Sequence, residues 1–268
     1  MSLQDSLDGD ILVTILTATK PSTIYLCGAK TWVDGCESDA THTFVVNAEA
    51  PAFIAKVAST LGIKICFFST DYVFDGTAGP YTENDVCNPV NVYGKSKCAA
   101  EEKIKDENPH ALIIRTTIVY GPEDLGKNFV YQLSERLSRN ERMSCVSDQF
   151  STPTYNRDLA KMASSLVDAR CSGIYNCVGQ ELMSRYEFAL KIARALGFDE
   201  NLLDAVTTAE HEVKLTESGQ VIAKRGVNLG LCIKKTLTAI PNLKLNSVEE
   251  SLEHWLRHPR GKSLRIIG

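Results

Sequence analysis

Ser69-Thr70-Asp71-Tyr72-Val73-Phe74-Asp75-Gly76, followed by Asn91-Val92-Tyr93-Gly94-Lys95-Ser96-Lys97, is the stretch whose reading decides the fold. Its first part continues an apolar run, Ile63 through Phe68, that has the length and composition of a buried strand. The hydroxyls of Ser69 and Thr70 therefore fall at a strand's C-terminal end, the edge of an open α/β sheet where ligands bind. Its second part opens a segment, residues 91–106, with helical spacing. There Tyr93 and Lys97, four residues apart, share one helix face. An ammonium beside a phenol favours the phenolate, so this pair suits proton transfer in carbonyl reduction, with Ser69 or Thr70 able to bond the same oxygen.

Working outward, short apolar runs alternate with amphipathic ones. Residues 23–27 read as a strand closed by Gly28, residues 48–61 as a helix ended by Gly62, and residues 63–69 as a second strand. A third strand spans residues 111–115, with Val119-Tyr120 carrying the apolar run onward. Alternating strands and helices with continuous apolar strands predict an α/β fold, a doubly wound parallel sheet covered on both faces. Further on, helices are expected at residues 128–139 and 157–169, and strands at 143–146 and 173–178, the last able to join the sheet. Ser184 with Glu187, and Ser247 with Glu250, are capping-box signals that open two more helices. Residues 207–230 are polar with little periodicity and read as a loop bordering a site.

Composition narrows the function classes. The 268 residues are 44% hydrophobic and 23% charged, ordinary for a globular chain with a sizeable core. The net charge of −4 argues against a nucleic-acid binder. No apolar run reaches the ~20 residues of a membrane span, and the N-terminus has no secretory pattern. The nine cysteines are scattered, odd in number and free of C-x-x-C pairs, and the five histidines show no ligand spacing. Structural thiols in a cytoplasmic protein are expected, with no metal, no nucleic acid and no membrane.

Several motifs in a fixed order resemble the extended short-chain dehydrogenase/reductases. Within them the chain is similar to the dTDP-4-dehydrorhamnose reductases and the related regulatory β subunit of methionine adenosyltransferase. The likeness runs from about Lys20 through Cys27-Gly28-Ala29-Lys30-Thr31, STDYVFDG and Val119-Tyr120-Gly121-Pro122 to Asp148-Gln149-Phe150-Ser151-Thr152-Pro153-Thr154. It implies a Rossmann-like dinucleotide-binding domain over residues 1–125 and 156–180, and a smaller α/β substrate domain over 126–155 and 181–268. It further implies catalysis by Thr70, Tyr93 and Lys97. NADP(H), or alternatively NAD(H), would lie along Cys27, Gly28, Ala29, Lys30, Ser69, Tyr93, Lys97 and Thr116. A nucleotide-sugar would lie along Thr31, Val33, Tyr72, Ile118, Asn128 and Gln149. Tyr93 would protonate the sugar's carbonyl oxygen, Lys97 would lower the Tyr93 pKa and hold the nicotinamide ribose, and Thr70 would orient the carbonyl.

Two departures qualify the implied activity. The resemblance calls for a first strand and a G-x-x-G-x-x-G turn that seats the cofactor diphosphate, and the sequence contains no such turn. The expected sheet therefore lacks its first strands, with Ile11 to Thr19 a weak remnant, and cofactor affinity is expected to be low. Ile118 stands where the reductases tend to carry Trp and the regulatory subunit an aliphatic residue. Beside the reductase stand two alternatives: a silent regulatory subunit and an inactive, truncated reductase. With no first strand beside it, the uncharged segment 23–27 becomes a sheet edge. A second copy, a partner enzyme or the chain's own first ten residues would cover it.

Overall fold

The computed structural model describes residues 9–217, 222–258 and 264. A parallel four-stranded sheet lies at its centre, in the order β1 (Thr23–Leu26), β2 (Lys64–Thr70), β3 (Leu112–Thr116), β8 (Gly173–Asn176). Alternation along the strands gives each face its own core. Ile65, Phe67 and Ile113 meet α1 (Gly9–Thr19), α4 (Ala50–Thr60) and α5 (Val92–Glu107) on one side. Cys66, Leu112 and Ile114 meet α7 (Asn156–Asp168) and α10 (Lys234–Ala239) on the other. This is the expected doubly wound, Rossmann-like arrangement.

Three details differ from the sequence reading. The helix leading to β2 begins earlier, as α2 (Val33–Ser38), α3 (Ala40–Phe44) and a π-turn over Val45–Glu49 that runs into α4. Val119-Tyr120 does not prolong β3. The backbone turns at Ile118, whose φ of 38° is rare for a β-branched residue, and β4 (Val119–Tyr120) pairs instead with β7 (Thr154–Tyr155). Third, the first part of the expected loop at 207–230 is helical, α9 (Thr208–Glu217). Its start is built by polar side chains: Thr207 N–H donates to Glu210 Oε2 at 2.8 Å, and Thr208 Oγ1 donates to Asp148 Oδ1 at 2.7 Å. Residues 218–221 of that segment lie outside the described ones.

The second half gathers around its own core. Helices α6 (Phe129–Leu137), α8 (Arg185–Leu196) and α11 (Val248–Arg257) bury Leu133, Phe188, Ile192, Leu252 and Trp255 against the parallel pair β5 (Met143–Val146) and β10 (Leu203–Val206). Both capping boxes form as expected, at Ser184 with Glu187 and at Ser247 with Glu250. A short antiparallel pair, β6 (Phe150–Ser151) and β9 (Met183–Ser184), leads from this half toward the sheet's C-terminal edge. Among the described residues β1 is an outer strand of the sheet. Helix α1 buries Leu16 on the sheet's face rather than along that edge, and Tyr25 on β1 stays 43% exposed. Residues 1–8 of the cover expected there lie outside the described ones. No described helix is long and apolar enough to cross a membrane.

Candidate active site

The site grows from the end of β2. Thr70 caps a single 3-10 turn, accepting from the Tyr72 N–H at 3.3 Å, which turns the chain out of the sheet. Asn91 caps α5 by accepting from the Gly94 N–H at 2.7 Å. Gly94 then rests on the backbone of Tyr72 so tightly that a Cβ there would overlap the Tyr72 carbonyl oxygen. Tyr93 is thereby set against the β2 end, with the Tyr72 ring edge to face at 5.8 Å and its phenol near enough to the Thr70 hydroxyl to be influenced by it.

From Thr70 a polar chain continues inward. Thr70 Oγ1 donates to Asp71 Oδ1 at 3.0 Å, and Thr117 Oγ1 donates to Asp71 Oδ2 at 2.6 Å. Burial pushes the Asp71 carboxyl up to about 6 against the pull of these hydroxyls. Burial likewise pushes the Tyr93 phenol up, with Thr70 opposing.

Lys97 departs from the expectation that it would lower the Tyr93 pKa. Its Nζ donates to the Phe68 carbonyl at 2.6 Å and lies over the Phe67 ring at 3.9 Å. Burial lowers the Lys97 pKa to about 7, with Glu101 one turn on opposing. Ser69 points to the opposite side of β2 from Thr70 and donates to Glu101 Oε1 at 2.5 Å, so it is not brought to Tyr93. Glu101 is fixed in turn by Arg115, whose Nη2 approaches Oε2 at 2.7 Å.

Two further candidates lie beside this end of the sheet. Thr116 pairs with Thr70 in register, and its hydroxyl is buried without a partner, an open valence at the strand end. The turn after β1 is pinned through Lys30, whose N–H donates to Asn47 Oδ1 at 2.8 Å while its carbonyl accepts from Asn47 Nδ2 at 3.0 Å. Asn47 also donates to Ser96 on α5 at 3.1 Å, which ties the turn to the Tyr93 helix. Cys27 and Gly28 are exposed, Ala29 is half-buried, and Gly28 faces open space.

A narrow, partly open cleft adjoins this centre. Tyr72, Ile118 and Gln149, three of the six residues that the resemblance assigns to the nucleotide-sugar, line it. Asn128 is not in its lining: it caps α6 by accepting from the Val130 N–H at 3.2 Å and donates to the Gly121 carbonyl at 2.8 Å. Thr31 is exposed and Val33 opens α2, both outside this lining.

Sequence reading missed Asp71, Thr117, Arg185 and Arg225, which also wall the cleft. Arg225 is gripped by Asp34 at 2.9 Å and donates to the Ala223 carbonyl at 3.0 Å. Arg185 lies over the Phe129 ring at 4.5 Å, and burial lowers its pKa. Gly226 allows the Arg225 segment to close, since a Cβ there would strike the Asp75–Gly76 backbone.

Residues 2–224 match the family described as the RmlD substrate binding domain. A dTDP-4-dehydrorhamnose reductase of Aggregatibacter actinomycetemcomitans is 32% identical, over 86% of this chain and 79% of its own length. The methionine adenosyltransferase 2 subunit beta of Danio rerio is also 32% identical, over 86% of this chain and 73% of its own. The crystal structure of a dTDP-4-dehydrorhamnose reductase from Bacillus anthracis, in complex with NADP, superposes with a TM-score of 0.84 at 30% identity, covering 93% of this chain and 85% of that one.

Proposed function

The chain belongs to the family of the RmlD substrate binding domain, oxidoreductases of the extended short-chain dehydrogenase/reductase kind, and on that premise we propose that it reduces the 4-keto group of a nucleotide-linked deoxysugar with NADP(H). The observation that carries the reading is the hydrogen-bonded set Thr70, Asp71, Thr117 at the end of β2, with Tyr93 packed against Tyr72 next to it and a cleft walled by Arg185 and Arg225 beside it.

Fit to the cofactor is uneven. The unpartnered Thr116 hydroxyl, the buried Lys97 ammonium and the open space at Gly28 suit a nicotinamide ribose laid across the strand ends. The diphosphate has no comparable cradle: among the described residues the helix before β1 carries Asp10 in its first turn, and an acid there disfavours an anion. Bound NADPH supplies the hydride that reduces the carbonyl carbon.

The chain's own groups handle the oxygen. Tyr93, kept protonated by burial, donates its phenolic proton to the carbonyl oxygen as that oxygen becomes an alkoxide. Thr70 orients the carbonyl and links Tyr93 Oη to Asp71. With a carboxyl near 6, Asp71 exchanges protons close to neutrality and returns one through Thr70 Oγ1 to the phenolate. Lys97 and Thr116 hold the ribose, and the turn from Cys27 to Lys30 lies beside the cofactor. Tyr72, Ile118 and Gln149 contact the nucleotide-sugar, while Arg185 and Arg225 face its diphosphate.

The division of labour follows the sequence: residues 1–125 and 156–180 carry the cofactor side, and 126–155 with 181–268 the substrate side. In support, Asp71, Tyr72 and Thr117 wall the cleft from one half, and Gln149, Arg185 and Arg225 from the other.

Incubation of the 268-residue chain with NADPH and dTDP-4-dehydrorhamnose tests the reading. Chromatography is expected to show a dTDP-linked 6-deoxyhexose formed with equimolar NADP. A second reading, a silent regulatory subunit, draws on the equal identity to the Danio rerio subunit and on the aliphatic Ile118 in the cleft wall. It is favoured if no turnover occurs and the chain co-sediments with a methionine adenosyltransferase catalytic subunit. In either reading the outer edge of β1 is covered by a second copy, by the partner enzyme or by the chain's own first ten residues.

A further inference from the structure

Cys87 and Cys98 form a cluster that the proposed reduction does not use. Cys87 lies in the loop before α5, and Cys98 follows Lys97 on that helix. Both are partly exposed, and both pack against the group formed by Val73, Phe74, Tyr81 and Leu231. The two thiols are near enough to shift each other's titration, Cys98 lowering Cys87 and Cys87 raising Cys98. Arg115 Nη2 donates to the Cys87 sulfur at 3.2 Å while Nε and Nη2 hold Glu101 at 3.0 and 2.7 Å. Arg115 Nη1 is buried with no partner, so the guanidinium has a donor to spare beside the sulfur.

We propose that Cys87 and Cys98 are a redox-active dithiol, in which Cys87 reacts with a hydroperoxide and Cys98 resolves the product as an intramolecular disulfide. The Arg115 guanidinium donates to the Cys87 sulfur, which favours the thiolate, the nucleophilic form. Its pKa is held below the ordinary thiol value, chiefly by the neighbouring Cys98 thiol and further by Arg115. By contrast, burial pushes Cys66 up to about 12 and Cys145 up to about 11, and raises exposed Cys27 as well.

The chemistry balances in two steps. The Cys87 thiolate attacks hydrogen peroxide: a sulfur–oxygen bond forms, the oxygen–oxygen bond breaks, and hydroxide leaves as water after protonation. The Cys98 sulfur then attacks the Cys87 sulfenic acid. The sulfur–sulfur bond forms and the second water leaves with the Cys98 proton. Two thiols lose two electrons in all, and one peroxide becomes two waters. The disulfide would tie the loop to the helix that carries Tyr93 and Lys97.

The test uses the reduced 268-residue chain, hydrogen peroxide, alkylation of the remaining thiols and a non-reducing digest read by mass spectrometry. The expected first product is a Cys87–Cys98 linked peptide pair, lighter by two hydrogens and restored by dithiothreitol. Cys98→Ser is expected to leave Cys87 as a sulfenic acid that dimedone traps. As a check needing no variant, iodoacetamide at neutral pH is expected to modify Cys87 at least tenfold faster than Cys27. Oxidation that begins at another cysteine overturns the proposal, as does slower alkylation of Cys87 than Cys27. A folded Cys98→Ser chain without dimedone adduct at position 87 also overturns it.

Discussion

Tyr72 and Tyr93 meet edge to face, ring centroids 5.8 Å apart and planes at 75°, because the residue after Tyr93 has no side chain. A Cβ on Gly94 would overlap the Tyr72 carbonyl oxygen and press on Pro89. The glycine is therefore what lets the start of α5 close on the end of β2, and it fixes where the Tyr93 phenol stands relative to Thr70.

Gly94→Ala sets two effects against each other. Alanine gains about 1 kcal/mol in helix propensity over glycine, but overpacking against fixed backbone costs about 1–3 kcal/mol. Because the clash is with backbone, the second is expected to win, with a net loss of stability in urea unfolding and loss of any reductase activity. A variant as stable as the parent would show that the contact does not position α5.

The Asp71 carboxyl, raised from 3.8 to about 6 by burial, makes a pH prediction. Between those values the folded chain keeps a proton that the unfolded chain has released, so this group's contribution to stability falls as pH rises from about 4 to 6. Above that range the buried charge costs about 3 kcal/mol. Asp71→Asn does not titrate. Its stability relative to the parent is expected to climb by up to about 3 kcal/mol between pH 4 and 7, other carboxylates cancelling in the comparison. A difference that stays flat with pH would contradict the buried assignment.

Arg225 and Arg185 are expected to matter for the substrate and not for the cofactor. A charge-assisted hydrogen bond is worth about 1.5–3 kcal/mol. Arg225→Ala should thus weaken binding of thymidine diphosphate by roughly 10- to 150-fold in calorimetry. Arg185→Met, which removes the guanidinium that lies over Phe129 and keeps an apolar side chain there, should act in the same direction. Unchanged affinity in both would place the diphosphate elsewhere.

Cofactor affinity should be low for the 268-residue chain. Losing two or three diphosphate hydrogen bonds at about 1.5–3 kcal/mol each removes several orders of magnitude. NADPH is therefore expected to bind more weakly than about 100 μM. A low-micromolar constant would mean that other groups hold the diphosphate.

Much of this arrangement was legible in the sequence because it rests on short-range rules. The apolar runs at β2 and β3 gave the parallel sheet, and Ser184 and Ser247 gave their capping boxes. Strand alternation already separates Ser69 from Thr70, since neighbours on a strand face opposite ways, and the Ser69–Glu101 bond follows from it. Asn128 could equally be a ligand or a helix cap, and Asn at a helix start is most often a cap. Long-range packing was not legible. Nothing local shows that Arg225 reaches back to Asp34, that Lys97 turns to the Phe68 carbonyl, or that Ile118 takes a positive φ. Helix α9 escaped notice because polar side chains build its start.

The central claim is that Tyr93 and its Thr70–Asp71 path deliver the proton while hydride reaches a sugar carbonyl. The most direct measurement follows deuterium from NADPH deuterated at the transferable C4 position, under saturating dTDP-4-dehydrorhamnose, in the parent chain and in Tyr93→Phe. The account predicts deuterium at C4 of the sugar in the parent. In Tyr93→Phe it predicts transfer slowed about 10²- to 10⁴-fold, with nucleotide-sugar binding retained. Both ligands bound to the parent chain with no deuterium entering the sugar would contradict it.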